Sequence, residues 1–485
     1  MLKKKKIIYI ILFLSIILLY AWRSLNVSIF DDFLWHIKLG EWILENKQIP
    51  KVDVFTWLYE GKNQLMVCHE WLAEILFVFL NRFLEPYWIL MLLVTLTFLT
   101  LGIVLYPDFI KKDTLSIFFL TFIATFSFLS TALVRPHIFS YIFTIITVKA
   151  LEDIKDNKNS KLYLIIPLIT ILWTNMHGGT VILAILFPLG FLICSFFNFK
   201  INKIEKIREP KENKIKYLYL IVGNFIASII NPYTIDIYKY ALLDHNEQLK
   251  SRVNEWARLS IQNPYGFLII VAIIIFLIAL NKTIDFTDIS MLTVFIFLTC
   301  LYQRFYSWTA FIFLVAFIKY FEDEKENSSK LLNFSFKDKR IFIQIEIIAI
   351  FICILILFIS AISKSGIPKV KHLVNPKIIE AIKEEKPERM YNSYYIGGLL
   401  VYYDEKVFSY SIALSNEEDL EVSKILDDLE VNIYEKEKEY NFDYYLTDVD
   451  SPLAFYLENT PEKYEIIYKD ETDYFPNKLL FAKIK

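Results

Sequence analysis

The chain has little cysteine and almost no net charge. It contains 4 Cys in 485 residues; Cys194, Cys300 and Cys353 lie in strongly apolar runs and Cys68 has no obvious partner, so a disulfide scaffold is excluded. Basic and acidic residues nearly cancel, 52 against 54, for a net of −2. The basic clusters sit between apolar runs, where membrane topology explains them better than nucleic acid does. The six histidines show no HxxxH or HExxH spacing, so no metal ligands are assigned from sequence. What is present is apolar: 55% hydrophobic and 17% aromatic residues, with a mean hydropathy of +0.40. That content excludes disorder and argues against a soluble globular protein.

The small net charge hides two regimes. From Lys364 to the end there are 16 basic and 25 acidic residues, a net of −9, which leaves +7 for residues 1–363. Apolar run length predicts about eleven spans in the first part. They are Ile7–Trp22, then about 88–106, 115–133, 138–151, 162–175, 180–198, 217–231, 266–280, 284–302, 305–321 and 341–363. Lys3–Lys6 precede the first run and no small-x-small cleavage site follows it, which reads as an uncleaved anchor with a cytoplasmic N-terminus. Trp71–Phe83 is too short to span and reads as an interfacial helix. The expected inside loops carry Lys111, Lys112, Lys155, Lys158 and Lys161, seven basic residues in 199–216, and five from Lys325 to Arg340. On this topology the protein is integral to a membrane, with its N-terminus on the cytoplasmic side. Its C-terminal domain, 364–485, is extracytoplasmic, and all six histidines (His36, His69, His137, His177, His245, His372) lie on the outer side.

The first outer loop, 23–70, opens on an amphipathic pattern from Asp31. Asp32 and His36 are i and i+4 on one helix face, and Asp31 and Asp32 stand near its start. They serve either as a cap with a solvated face or as a carboxylate base at the bilayer surface. The loop ends in Cys68-His69-Glu70-Trp71, with Glu74 one turn after Glu70. Arg135-Pro136-His137, Asn175-Met176-His177-Gly178-Gly179, Asn231-Pro232-Tyr233, Asn254-Glu255-Trp256 and Gln303-Arg304-Phe305 mark further outer turns. Each alone can be a turn or an anchor. Together they place ionisable groups at one membrane face, where charge is costly without function. Carboxylates beside Arg and His suit glycosyl transfer from a lipid phosphate: a base takes the acceptor proton and Arg offsets the leaving phosphate.

At these residues the sequence resembles a bacterial family of polytopic membrane proteins related to the GT-C superfamily of glycosyltransferases. The resemblance is carried by Asp32-Phe33-Leu34-Trp35-His36, Gly40-Glu41-Trp42, Ile49-Pro50 and Asp53-Val54-Phe55. It continues through His69-Glu70-Trp71-Leu72-Ala73-Glu74, Arg135-Pro136-His137, Trp173–Gly178, Asn231-Pro232-Tyr233, Glu255-Trp256, Tyr391–Leu400 and Lys406-Val407-Phe408. It implies a GT-C-like all-α membrane domain and a polyprenyl-phosphate-linked sugar donor. A catalytic acid is then expected at Asp32, with Asp31 second and Glu70 beside them. His36, His69, Arg135, His137, Asn175, His177, Glu255 and Arg304 would bind substrate, the two arginines as phosphate contacts by analogy. Where the family carries an acid followed by Gly-Arg after the Val-Phe pair, this chain has Ser409-Tyr410.

The C-terminal domain reads as small α/β. Helices are expected at about 375–386 and 416–429, and strands at Lys406–Ser411, Phe442–Thr447, Tyr464–Tyr468 and Lys478–Ile484, the last two as a hairpin. Gly397-Gly398 is either a tight turn or a ligand-facing loop, and lacks GxGxxG or P-loop spacing. The expected partners are a lipid-linked sugar donor, membrane lipid and an acceptor glycan, lipid or protein, with no nucleic acid and no cofactor. The alternatives are a transporter or flippase for lipid-linked glycans, which would need inverted repeats and midplane polar groups, or a non-catalytic assembly factor. A metal site of His36, His69, His137 and His177 lacks supporting spacing.

Overall fold

The computed structural model describes residues 31–60, 66–109, 111–112, 114–127, 133–243, 257–260, 264–280, 282–321, 373–410, 432–471 and 477–485, with isolated residues in 11–21, 352–363 and 426–429. Glu255, His245, His372, most of the runs 7–22 and 341–363, and most of the expected helix 416–429 lie outside the described residues.

In chain order the helices are α1 (Asp31–Asn46), α2 (Trp71–Asn81), α3 (Pro86–Phe109), α4 (Thr114–Phe126), α5 (His137–Lys155), α6 (Ile166–Met176) and α7 (Leu183–Cys194). Strands β1 (Phe199–Ile201) and β2 (Ile204–Lys206) precede α8 (Lys211–Ser228), α9 (Asp236–Leu243) and α10 (Pro264–Ala279). Then come β3 (Ile284–Asp285), α11 (Phe286–Leu301), α12 (Tyr306–Phe317), α13 (Pro376–Glu385), β4 (Met390–Asn392) and α14 (Gly397–Tyr402). The chain ends with α15 (Ile433–Tyr440), β5 (Tyr444–Asp448), α16 (Pro452–Glu458), β6 (Tyr464–Lys469) and β7 (Leu479–Ile484).

Two compact units form. One holds the described residues of Met1–Val27, Leu90–Leu243 and Lys250–Gly366, the other those of Ser28–Ile89 and Ile367–Lys485. The expected array of about eleven spans is not what the first unit contains. Among the described residues one helix, α3 with 24 residues, is long and apolar enough to cross a membrane. The reason lies in counting apolar runs as if they were helices. The run 162–175 begins as a 3-10 turn, Leu162–Ile165, and leaves 11 residues of α6; the run 180–198 begins in Gly178–Thr180 and leaves 12 residues of α7. At 1.5 Å per residue such helices reach about 18 Å, against roughly 30 Å of hydrocarbon. Helix α5 is longer, 19 residues, but ends in Lys149, Glu152, Asp153 and Lys155. All 12 residues of α12 are buried, as in a core helix. With these spans gone, their parity no longer assigns a side to the loops.

Several lysines expected in cytoplasmic loops are instead internal cross-links of this unit. Lys155 is buried and pairs with Glu152 at 2.8 Å and with Asp288; Lys319 reaches both Glu152 and Asp288 at 2.8 Å, and the Tyr320 hydroxyl donates to Asp288 at 2.6 Å. Buried charges persist only when paired in this way. Lys206, 1% exposed, sits on β2 and pairs with Glu209 at 2.6 Å. The stretch expected to be a basic loop thus contains a β1–β2 hairpin, with β3 added in parallel.

The second unit is built on a four-stranded sheet in the order β4-β5-β7-β6. β4 and β5 are parallel, while β7 is antiparallel to both β5 and β6, in the register Tyr444↔Lys483 and Tyr464↔Ile484. Three of the four expected strands are therefore present. Of the expected strand Lys406–Ser411, the described residues 406–410 form no strand and contribute an isolated bridge, Val407 to Thr56. Helix α13 starts as its sequence dictates: Asn375 accepts from the Lys377 amide, Pro376 takes the first position, and Lys386 ends the helix in a left-handed conformation. Residues 55–59 thread into this unit. Trp57 joins the core with Tyr391, Phe408, Phe442 and Tyr445, and its indole donates to the Met390 carbonyl at 3.1 Å.

Helix α1 packs on α2 and α14. Its N-terminal part is largely enclosed, with Phe33, Leu34, Trp35, His36, Ile37 and Leu39 each 5% exposed or less, while Glu41 and Glu45 nearer its end are more open. Gly40 is where α1 meets α2: a Cβ there would stand 2.5 Å from the Glu74 carbonyl oxygen and 2.7 Å from Val78 Cγ2. Alanine normally stabilises a helix interior by about 1 kcal/mol over glycine. Here Gly40→Ala is expected to destabilise, by about 1–3 kcal/mol of overpacking. Thermal unfolding followed by circular dichroism checks this, and an unchanged or raised Tm would contradict the crossing.

Candidate functional site

The crossing at Gly40 brings together residues that are far apart in the chain. His36 lies one turn before Gly40 on α1, and Glu74 lies on the turn of α2 that Gly40 touches. Nδ1 of His36 is 3.3 Å from Glu74 Oε1. Glu70, one turn before Glu74, places Oε2 3.8 Å from His36 Nε2, so the imidazole lies between two carboxylates. His69 adds its Nδ1 at 3.9 Å from the same Glu70 oxygen. The Cys68 thiol donates to Glu74 Oε2 at 3.1 Å. The Trp35 ring lies 3.7 Å from the His36 ring between centroids, tilted by 31°, and Phe77 meets the imidazole edge-on at 6.2 Å.

Burial grades across the cluster. Glu74 is 1% exposed at its side chain and Glu70 13%. Burial pushes the Glu74 carboxyl up to about 8, partly opposed by the Cys68 thiol bond. Burial and the adjacent Glu74 in turn push the Cys68 thiol well up, which keeps it a protonated donor.

Beside the cluster, the Tyr410 hydroxyl donates to Asp53 at 2.9 Å, and Asp53 also accepts the Phe55 and Thr56 amides at 2.8 and 3.2 Å. The Tyr410 ring stands edge-on to Trp35 at 5.9 Å. Tyr410 therefore fills the wall beside Trp35 of α1. A Cβ on Gly397 would be 2.1 Å from the Ser409 carbonyl oxygen, so Gly397 starts α14 at a close backbone approach and is neither a turn nor a ligand loop.

Of the residues singled out in sequence, Asp32, His36, His69 and Glu70 fall in this unit. Asp31 opens α1, and Asp32, half-buried, accepts from the Trp35 indole at 3.4 Å. Cys68 and Glu74 complete the cluster, and no local signal in the sequence ties either to His36. Arg135, His137, Asn175, His177 and Arg304 belong to the other unit. There His137 begins α5, its ring 5.5 Å from Tyr141. His177 is buried, with Nδ1 2.7 Å from Ser140 Oγ and 3.0 Å from Thr180 Oγ1, while Asn175 donates to the Ile171 and Ile230 carbonyls at 2.7 and 2.8 Å. Arg304 lies in the 3-10 turn Gln303–Phe305.

The sequence matches no protein-family model and no curated protein.

The raised Glu74 carboxyl has a stability consequence with a definite sign. Its protonated form is favoured by folding, so the contribution is complete below its ordinary value of 4.5 and is lost as pH rises through about 8. With a chelator present, so that only protons compete for the carboxylate, denaturant stability should fall from pH 5 to 8 by up to about 1.4 kcal/mol per pH unit. Glu74→Gln should flatten that fall. Parallel pH profiles for the two proteins would remove Glu74 as the source.

Proposed function

We propose that this protein is a membrane-associated glycosyltransferase that moves a sugar from a polyprenyl-phosphate-linked donor to an acceptor hydroxyl. The observation that carries the proposal is the acid–imidazole cluster on α1 and at the start of α2. Asp32 precedes His36 by one helical turn, and the Trp35 indole bond orients its carboxylate. Asp32 is the general base. It takes the acceptor proton as the acceptor oxygen bonds the anomeric carbon and the bond from that carbon to the phosphate oxygen breaks, so the products are the glycosylated acceptor and the polyprenyl phosphate.

A lipid-borne donor is supported by apolar stripes on the first unit. On α8, Ile215, Leu218, Val222 and Ile226 are 50–57% exposed at helical spacing. On the neighbouring helical segment, Leu164, Leu168 and Leu172 repeat every four residues and are 45–64% exposed. Runs of large apolar side chains left in contact with solvent mark lipid or partner surfaces.

Asp32→Asn should lower transfer from polyprenyl-phosphate hexose by about 100- to 10,000-fold, the range for loss of a general base, while the Tm stays at the wild-type value. The assay follows polyprenyl phosphate release by mass spectrometry. Full activity in the variant removes Asp32 as base, and wild-type protein that releases no polyprenyl phosphate overturns the transferase reading.

A further inference from the structure

We propose that His36, Glu70 and Glu74 form a binding site for one divalent first-row transition metal, with zinc the preferred ion. This inference does not rest on the transferase reading. One ligand atom from each of the three residues can be chosen so that all three lie within 4.8 Å of one another. The two closest separations use different ring nitrogens, His36 Nδ1 to Glu74 at 3.3 Å and Nε2 to Glu70 at 3.8 Å; one ion takes a single nitrogen, with the two carboxylates turning toward it from within 4.8 Å. Metal–nitrogen and metal–oxygen bonds of about 2.0–2.2 Å put ligand atoms roughly 3.3–3.6 Å apart. Small side-chain rotations close the shell.

Three features distinguish the cluster from an ordinary buried polar pair. The ligands stand on rigid elements, since α1 and α2 are held in contact at Gly40 and the His36 ring packs against Trp35 and Phe77. Two carboxylates flank one imidazole, and the Glu74 side chain is 1% exposed, so a bound cation would meet acid oxygens already shielded from bulk water. A second layer already exists, because the Cys68 thiol donates to the Glu74 oxygen farther from His36, as outer partners of metal ligands do. His69 stands 3.9 Å from Glu70 on the side where exposure increases. Three protein ligands leave a coordination position for water or a substrate oxygen. The nitrogen–oxygen donor set suits zinc, and manganese less tightly.

The test uses the full-length protein with any affinity tag removed, stripped with chelator and desalted. Zinc is added back in slight excess, unbound ion is removed by gel filtration, and retained metal is measured by inductively coupled plasma mass spectrometry. About one zinc per chain is expected. Cobalt(II) in its place should give a visible d–d absorption band. Glu70→Gln, chosen because its side chain is partly exposed and the change is isosteric, should weaken zinc binding by at least 10-fold and abolish the cobalt band, with a far-ultraviolet circular dichroism spectrum like that of the wild type. His36→Ala should do the same. Wild-type protein that retains no zinc or manganese overturns the proposal, and so does zinc retained equally by wild type and both variants. If a variant fails to fold, the wild-type stoichiometry and the cobalt spectrum decide the question alone.

Discussion

The second unit depends on one steric fact: at Gly40 the backbone of α1 comes within van der Waals contact of the Glu74 carbonyl on α2. Any side chain there would push the helices apart. The separation of these helices sets the reach from His36 to Glu70 and Glu74, because each of those side chains lies about one turn or less from the contact. The rest of the cluster is built outward from that contact. Trp35 and Phe77 hold the imidazole, Cys68 satisfies the far oxygen of Glu74, and Tyr410 with Asp53 closes the wall behind Trp35.

Buried charge is handled differently at two acid clusters, one in each unit. In the first, Glu152 and Asp288 are each met by lysine ammonium groups, and the network is made of opposite charges at hydrogen-bond distance. Such networks cost desolvation and hold geometry. In the second unit, Glu74 is met by a thiol and an imidazole, neither of which carries a permanent charge. A carboxylate so placed takes up a proton or a cation, and that makes it chemically responsive where Glu152 is structural.

Apolar composition pointed toward a membrane, and its translation into about eleven spans failed for a physical reason. A run of apolar residues measures hydrophobicity along the chain, whereas a span requires unbroken helix. Behind the 3-10 turns at Leu162–Ile165 and Gly178–Thr180 only 11 and 12 residues of α-helix remain, and the charged end of α5 turns inward to the ion network. Similarly, the lysines of the expected inside loops carried no label saying which would be buried. Lys155 and Lys206 have the chain context of surface charges, and it is the packing of Asp288 and Glu209 beside them that makes them internal.

Local signals did determine local structure. The Asn375-Pro376 start of α13, the β6–β7 hairpin and the helix beginning at Asp31 could all be read from residue type and period, since capping, turn chemistry and side-chain alternation act within a few residues. The sequence by itself also marked His36, His69 and Glu70 as polar groups out of place among apolar neighbours. Only the tertiary structure decided what they meet. His36 and Glu74 are 38 positions apart, and Asp53 and Tyr410 are 357 apart. Contacts at such range are set by which surfaces pack, and here a single glycine lets two helices touch.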